Sequence, residues 1–465
     1  MKYDSVIIGA GMSGLAAGIR LAHFGQKVCI CEKHFRIGGL NSFFMRKGYD
    51  LETGLHAMTN FAPRTGAKAL PLSKLLRQLR IPYDSLMLRE QNYSQIKFPG
   101  ATLDFSNDFS QFESSVSELF PSEADGFVKF NEYIRNYNEV SLTDKYISAK
   151  SVMAEYIKNP LLRDMILCPL MYYGSAVEDD MDFSQFVIMY KSIFYEGFCR
   201  PAGDGVRQIL DKLQERFEES GGELRLSCGI EKITVEGDEA VELHTSTGEI
   251  ITAKKILSSA GNIETLNLCS EKPENLKDIP AGELGYIETL AVLGDYMDKF
   301  ENDQTITFFS VKDSFDYKKP KTAYSLESGV ICFPHNFKFE ADDKPVDKTI
   351  RVTALANYEY WLNQEKEHYS RQKQKATEDI FQLAEKLTGI KDIAANALLT
   401  DTMTPKTIQN YTGHIHGSIY GSPYKVKDGT THLKNLFICG TDQGFLGITG
   451  AMLSGISMAN LHMLR

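Results

Sequence analysis

Residues 3–14 read Tyr3-Asp4-Ser5-Val6-Ile7-Ile8-Gly9-Ala10-Gly11-Met12-Ser13-Gly14, and residues 27–32 read Lys27-Val28-Cys29-Ile30-Cys31-Glu32. The apolar run through Ile8 reads as a buried strand. Gly9 to Gly14 spell G-x-G-x-x-G. Ser13 to Phe24 then places Leu15, Ile19 and Ala22 on one side of a helix, and Gly25 is well placed to end it. A second strand over 27–32 completes a unit the size of a parallel β-α-β crossover. In such a unit Gly9 permits the tight turn, Gly11 lets backbone N–H groups approach a diphosphate, and Gly14 lets the helix pack close to the strand. The helix N-terminus adds partial positive charge. Glu32 is placed to accept hydrogen bonds from both hydroxyls of a ribose, which disfavours a 2′-phosphate. These features together predict a dinucleotide site whose first contacts are Gly9, Gly11, Met12, Ser13, Gly14, Glu32 and Lys33.

Shortly after Glu32 comes Arg36-Ile37-Gly38-Gly39-Leu40, where paired glycines let the chain pass against a cofactor. With the fingerprint, this resembles the FAD-dependent amine oxidase and phytoene desaturase superfamily, with Leu40 where a basic residue is usual. The resemblance implies FAD, held also at the flavin-side turn Asp50-Leu51-Glu52-Thr53-Gly54 and by Leu55 and His56. At the other end, Gly440-Thr441-Asp442 precedes Gly444, Gly447, Ile448, Thr449, Gly450 and Ala451, where a closing helix begins. The acid one place later than usual is similar to the retinol saturase and carotenoid isomerase branch of the phytoene desaturase-like proteins. Thr404-Pro405, Tyr411-Thr412-Gly413 and Gly417-Ser418-Ile419-Tyr420-Gly421 resemble that branch too. The likeness implies contacts from Gly440, Thr441, Asp442, Gly447, Ile448, Thr449 and Ala451. It also implies that the Ile230 backbone meets adenine and that Ser258-Ser259-Ala260-Gly261 closes near the phosphates. No cysteine stands at the covalent-flavin position of monoamine oxidases, so the FAD is expected to be noncovalent. No second G-x-G-x-x-G marks a dedicated nicotinamide domain.

The fold class expected is α/β: a Rossmann-type FAD-binding domain with an inserted α+β substrate domain. The first draws on residues 1–72, 200–265 and 405–465, the second on residues 73–199 and 266–404, the latter with a helical lid region. A length of 465 residues suits two or three domains. Hydrophobic residues make up 43%, enough for a sizeable core. Net charge is -10, which argues against nucleic acid. The basic cluster Lys312, Lys318, Lys319 and Lys321 reads as a solvated loop. Eight cysteines in no C-x-x-C pair show neither a disulfide framework nor zinc spacing, so no metal is expected. Without a signal peptide or an apolar stretch of about 18–20 residues, a cytoplasmic protein is expected, with any membrane contact peripheral.

Catalytic side chains are harder to read, because a flavin carries the redox step itself. His56 should lie near the isoalloxazine. His414 and His416 would share one face of a possible strand, flanked by Tyr411 and Tyr420; His56, Tyr411 and His416 are the catalytic candidates. Arg200 reads as a salt bridge. The run Phe183 to Phe198, rich in aromatic residues with Met165, Met171 and Met181 nearby, suits either helix core or the wall of an apolar groove. The resemblance, with such a groove, implies an FAD-dependent oxidoreductase that desaturates, saturates or isomerises carbon–carbon bonds of an apolar polyene or isoprenoid-like chain. Two alternatives stay open: a flavin amine oxidase-like enzyme on a compact polar substrate, and a non-enzymatic prenyl-binding protein of the GDP-dissociation inhibitor type. Substrate, direction of reaction and electron partner are not legible.

Overall fold

The computed structural model describes residues 2–54, 56–63, 70–140, 145–276, 278–345 and 347–465. β1 (Lys2–Ile8), α1 (Met12–His23) and β2 (Val28–Cys31) form the crossover read from the sequence. All four residues of β2 are buried, as expected of a parallel strand covered on both faces. The Cys29 and Cys31 sulfurs lie 3.8 Å apart on one face. β1 pairs in parallel with β2 and with Ile250–Ser258, which pairs in parallel with Leu436–Ile438. Glu223–Arg225 extends the sheet beyond β2, and Ile230–Glu236 and Glu239–Thr245 add an antiparallel ribbon at the other edge. One sheet thus gathers strands from the N-terminus, the middle and the C-terminus.

A second sheet of seven strands runs in the order Leu399–Met403, Gly285–Val292, Thr349–Ala356, Tyr324–Cys332, Ile306–Ser310, Ser94–Phe98 and Ala101–Phe105. It is antiparallel except where Ile306–Ser310 meets Ser94–Phe98. The helix Lys366–Thr388 packs on one face through Ala376, Ile380, Phe381 and Ala384. It is separate from the short helix Glu359–Leu362.

Against the other face lies a large aromatic core, and here a groove-lining expectation is corrected. Phe183, Phe186, Tyr190, Phe194 and Phe198 are all fully buried. They follow the helix Phe183–Tyr190 and its continuation Lys191–Tyr195. Their three- and four-residue spacing turns them together onto neighbouring helices. Phe194 stacks on Phe112 at 4.2 Å and meets Phe105 edge-on at 5.1 Å. None of them reaches the cavity described below.

α1 also packs on the C-terminal helix Gly447–Met458. Gly455 makes that packing possible, and Gly14 lets α1 start close against the glycine turn. A Cβ on Gly14 would overlap the Gly9 carbonyl oxygen, and a Cβ on Gly455 would overlap the Ser13 carbonyl oxygen. Both obstacles are backbone and cannot turn aside. Gly455→Ala is therefore expected to push the two helices apart, destabilise the protein by roughly 1–3 kcal/mol and weaken cofactor retention. Thermal unfolding and flavin content of the purified variant measure both; wild-type values would contradict the close approach.

Candidate active site

The cavity has a volume of about 1070 Å³. It opens at the carboxyl ends of β1, β2, Ile250–Ser258 and Leu436–Ile438, the edge of an open α/β sheet where ligands bind. Single-ligand pockets run to roughly 1,000 Å³, so the cavity has room for a dinucleotide and some of a second molecule.

At one end Glu32 lines the wall together with Lys33, His34, Ile230 and Ala260. Glu32 Oε2 accepts from the Ala10 N–H at 2.7 Å and Oε1 from the His34 N–H at 2.8 Å. A carboxylate has about four acceptor positions; the bond from Ala10 braces the glycine turn and that from His34 the segment after β2, which leaves acceptor capacity for a ligand at the wall. This bracing role is invisible in the motif. Burial lowers the pKa of Lys33. Glu264, also on the wall, is pushed by burial up to about 7, although the Ile415 N–H donates to it at 2.9 Å.

In the middle, Gly9, Gly11, Met12, Ser13, Gly38, Gly39, Gly440 and Thr441 line the cavity. Two helix N-termini open here: that of α1, capped by Gly11, and that of Gly447–Met458, which contributes Gly447, Ile448 and Ala451. At both Gly11 and Gly447 the place of a Cβ is open space. Paired N-termini with no side chains in front suit a diphosphate and an electron-accepting ring. Leu40, Gly54 and His56 continue the wall inward. The residues present thus fit a flavin dinucleotide.

Five sequence-derived contacts stand otherwise. Gly14 and Gly261 are not on the cavity wall; they serve helix packing and the cap of Asn262–Leu268. Thr449 is not on the wall either. Asp442 is 1% exposed and spent on the protein: Asn262 N–H donates to it at 2.6 Å, Ser422 N–H at 2.9 Å, and Lys425 lies 3.5 Å away. Leu55 lies outside the described residues.

The inner end is built by the second sheet. Glu288 and Thr353 are direct cross-strand partners, and Tyr286 and Arg351 sit two residues along on the same faces. Arg351 Nε donates to Glu288 Oε1 at 2.9 Å, and its Nη2 also reaches Glu288 and the Thr53 carbonyl at 3.0 Å. His56 Nε2 lies 2.6 Å from Glu288 Oε2 and 3.0 Å from Thr353 Oγ1. Burial alone would raise the Glu288 pKa, but Arg351 and His56 hold it at about 2. Arg200 pairs with Glu52, as expected, and Glu52 also accepts from the Val206 N–H at 2.5 Å. The Glu288–Arg351 pair is absent from the sequence reading; a lone acid in the otherwise apolar strand Gly285–Val292 was the signal.

Of the catalytic candidates, His56 lines the inner cavity and the other two do not belong there. Tyr411 is 60% exposed and sits beside His34, at the Glu32 end. His416 lies off the cavity, stacked on Tyr358 at 3.9 Å, with Nδ1 3.1 Å from the Gly282 carbonyl. The predicted strand there is a tight 3-10 turn, and φ of +62° at His416 breaks the alternation that would align it with His414.

Breaking a buried pair strands one charge. Arg351→Met is expected to cost roughly 3–5 kcal/mol, whereas Glu288→Leu combined with Arg351→Met removes both charges and recovers much of that loss. Denaturant unfolding of the variants and wild type measures the coupling; simply additive losses would contradict it.

The family described as flavin containing amine oxidoreductase matches residues 12–461. The chain is 22% identical over 506 residues to a chloroplastic prolycopene isomerase of Daucus carota, covering 99% of this chain and 80% of that one. It is 22% identical over 541 residues to the all-trans-retinol 13,14-reductase of Danio rerio, covering 99% and 87%. The fold is like that of the solved cyclohexylamine oxidase from Brevibacterium oxydans IH-35A, with a TM-score of 0.63 at 13% identity over 99% of each chain. With nearly its whole length matched, this chain belongs to the flavin containing amine oxidoreductase family.

Proposed function

We propose that the protein is an FAD-dependent oxidoreductase that desaturates, saturates or isomerises carbon–carbon bonds of a long apolar polyene or isoprenoid-like substrate. The observation that carries this reading is the inner cavity. Beyond the glycine-rich wall it is bounded by Tyr172, Tyr286, Val330, Ile419, Phe445 and Leu446, and the buried acid there, Glu288, is paired with Arg351 and bonded to His56. A wall of this kind favours apolar contact, worth roughly 25 cal/mol per Å² before ordering costs. The polyene relatives aligned along almost the whole chain support the same substrate class. A compact cationic amine would be better served by an unpaired acid, and Glu288 is not one. The non-enzymatic reading falls with family membership.

Bound flavin supplies the two-electron redox chemistry. The chain does the rest. Backbone N–H groups at Gly11–Ser13, with those at the start of Gly447–Met458, hold the diphosphate and polarise the ring. Glu32 holds the adenosine ribose while fixing the turn at Ala10. The Glu288–Arg351 pair fixes His56 and the Thr53 backbone on the substrate side. The tyrosine-rich wall excludes water and orients the chain. Among the described residues no helix is long and apolar enough to cross a membrane, so such a substrate would come from a bilayer surface or a carrier protein.

The protein is expected to purify yellow with one noncovalent FAD: the one cysteine on the cavity wall among the described residues, Cys31, is buried at the end of β2 beside Glu32. Acid precipitation should leave the flavin in the supernatant; colour in the pellet would contradict noncovalent binding. Anaerobic titration of the holoenzyme with a panel of polyenes and of small amines should perturb the flavin spectrum with polyenes alone. A response confined to amines would put the amine oxidase reading in front.

A further inference from the structure

His56 is held from several sides. Its Nε2 lies 2.6 Å from Glu288 Oε2 and 3.0 Å from Thr353 Oγ1. The Cys332 thiol donates to its carbonyl at 3.5 Å, and Met58, two residues on, exchanges backbone bonds of 2.7 and 2.8 Å with Cys199. Glu288 is ionised, so it can only accept. The proton of the neutral ring therefore sits on Nε2, and Nδ1 presents its lone pair. Nδ1 has no protein partner among the described residues, yet unlike the Nδ1 of His414 it is not shut off from solvent. The side chain is 12% exposed and lines the inner cavity, so that nitrogen opens into it.

The other titratable groups on this inner wall are committed. Tyr172 pairs with Ser328 at 2.9 Å, Tyr286 with Tyr317 at 2.5 Å, and Tyr420 donates to the Tyr172 carbonyl at 2.6 Å. The Tyr173 hydroxyl is shut off from solvent. Burial keeps all four phenols protonated. Glu288 is taken by Arg351, His56 and Thr353. Among the described residues of that wall, the His56 Nδ1 is the uncommitted proton carrier. Saturating a carbon–carbon double bond needs one. The π bond breaks, one carbon takes a proton and its neighbour takes a hydride. The hydride brings the electron pair from the reduced flavin, which is thereby oxidised by two electrons. The proton comes from Nδ1–H of the imidazolium, and water restores it. Desaturation runs the same steps backwards, with neutral Nδ1 accepting the proton. An apolar chain brings no acid or base of its own.

Resting on the polyene reading above, we infer that His56 carries the proton to or from the substrate carbon through Nδ1, and that Glu288 positions its ring. The test compares wild-type holoenzyme with His56→Gln, which still offers an N–H to Glu288, and with His56→Ala. Dithionite-reduced protein is mixed anaerobically with all-trans-retinol and oxidised protein with phytoene, and the flavin spectrum reports both binding and electron transfer. In His56→Gln the electron-transfer rate should fall about 10²–10⁴-fold while polyene affinity stays within about twofold. Added imidazole should restore His56→Ala, whereas pyrazole, of the same shape but far less basic, should not. A wild-type rate in His56→Gln, an affinity loss as large as the rate loss, or equal rescue by pyrazole overturns the inference. If His56→Gln fails to hold flavin, the rescue of His56→Ala decides; flavin loss from both variants assigns the ring to the cofactor and also overturns it. If neither polyene perturbs the wild-type flavin, the polyene reading itself falls and this inference with it.

Discussion

At Ser13 and Gly455 the backbones of two helices touch with no side chain between them. That approach brings the N-terminus of α1 and the start of Gly447–Met458, residues more than four hundred apart in the chain, to one wall. An anion held there is met by two sets of free N–H groups and two aligned dipoles. Each end alone would be a modest site. The strand order follows from the same constraint: Leu436–Ile438 must lie beside Ile250–Ser258 to deliver the closing helix onto α1, so the intervening chain has to leave the sheet and return. The second sheet, formed largely by that excursion, is thereby set opposite the glycine turns.

The excursion needs its own anchor, and the Glu288–Arg351 pair provides one. Arg351 donates to the carbonyls of Glu52 and Thr53, on the hairpin that follows the paired glycines. Glu52 in turn holds Arg200 and the Val206 N–H at the start of the helix Val206–Glu219. A single polar network thus ties the substrate-side sheet to the flavin-side turn. Its energetic worth over an apolar replacement is small. Its geometric worth is that His56 and the Thr53–Gly54 backbone cannot drift relative to the wall facing them.

What the sequence discloses and what it hides divide along a physical line. The glycines at 9, 11 and 14 and the acid at 32 are readable because backbone approach to a diphosphate admits few residue types at fixed spacing. Local order is enough. Glu288 facing Thr353 depends on register between strands about sixty residues apart, which no local pattern encodes. Asp442 reads as a ligand because an acid after a glycine usually is one; its hydrogen bonds to Asn262 and Ser422 come from two other segments. The run from Phe183 is ambiguous for another reason: a helix facing core and a helix facing an apolar groove carry the same period. His416 fails because a single left-handed residue cancels the alternation on which facing was judged.

Two carboxyls on the cavity wall show how the site separates its ends. Glu288, held at about 2, supports the fold throughout the range above ordinary carboxylate titration and stops doing so only as pH falls towards 2. Glu264 runs the other way. Burial favours its neutral form, so its contribution is intact below the ordinary range and is lost as pH rises to about 7. The charge change near neutrality therefore lies at the cofactor end, among Lys33, His414 and Asp442, where an extra negative charge opposes a diphosphate. At the substrate end Glu288 stays ionised and paired with Arg351 across the same range.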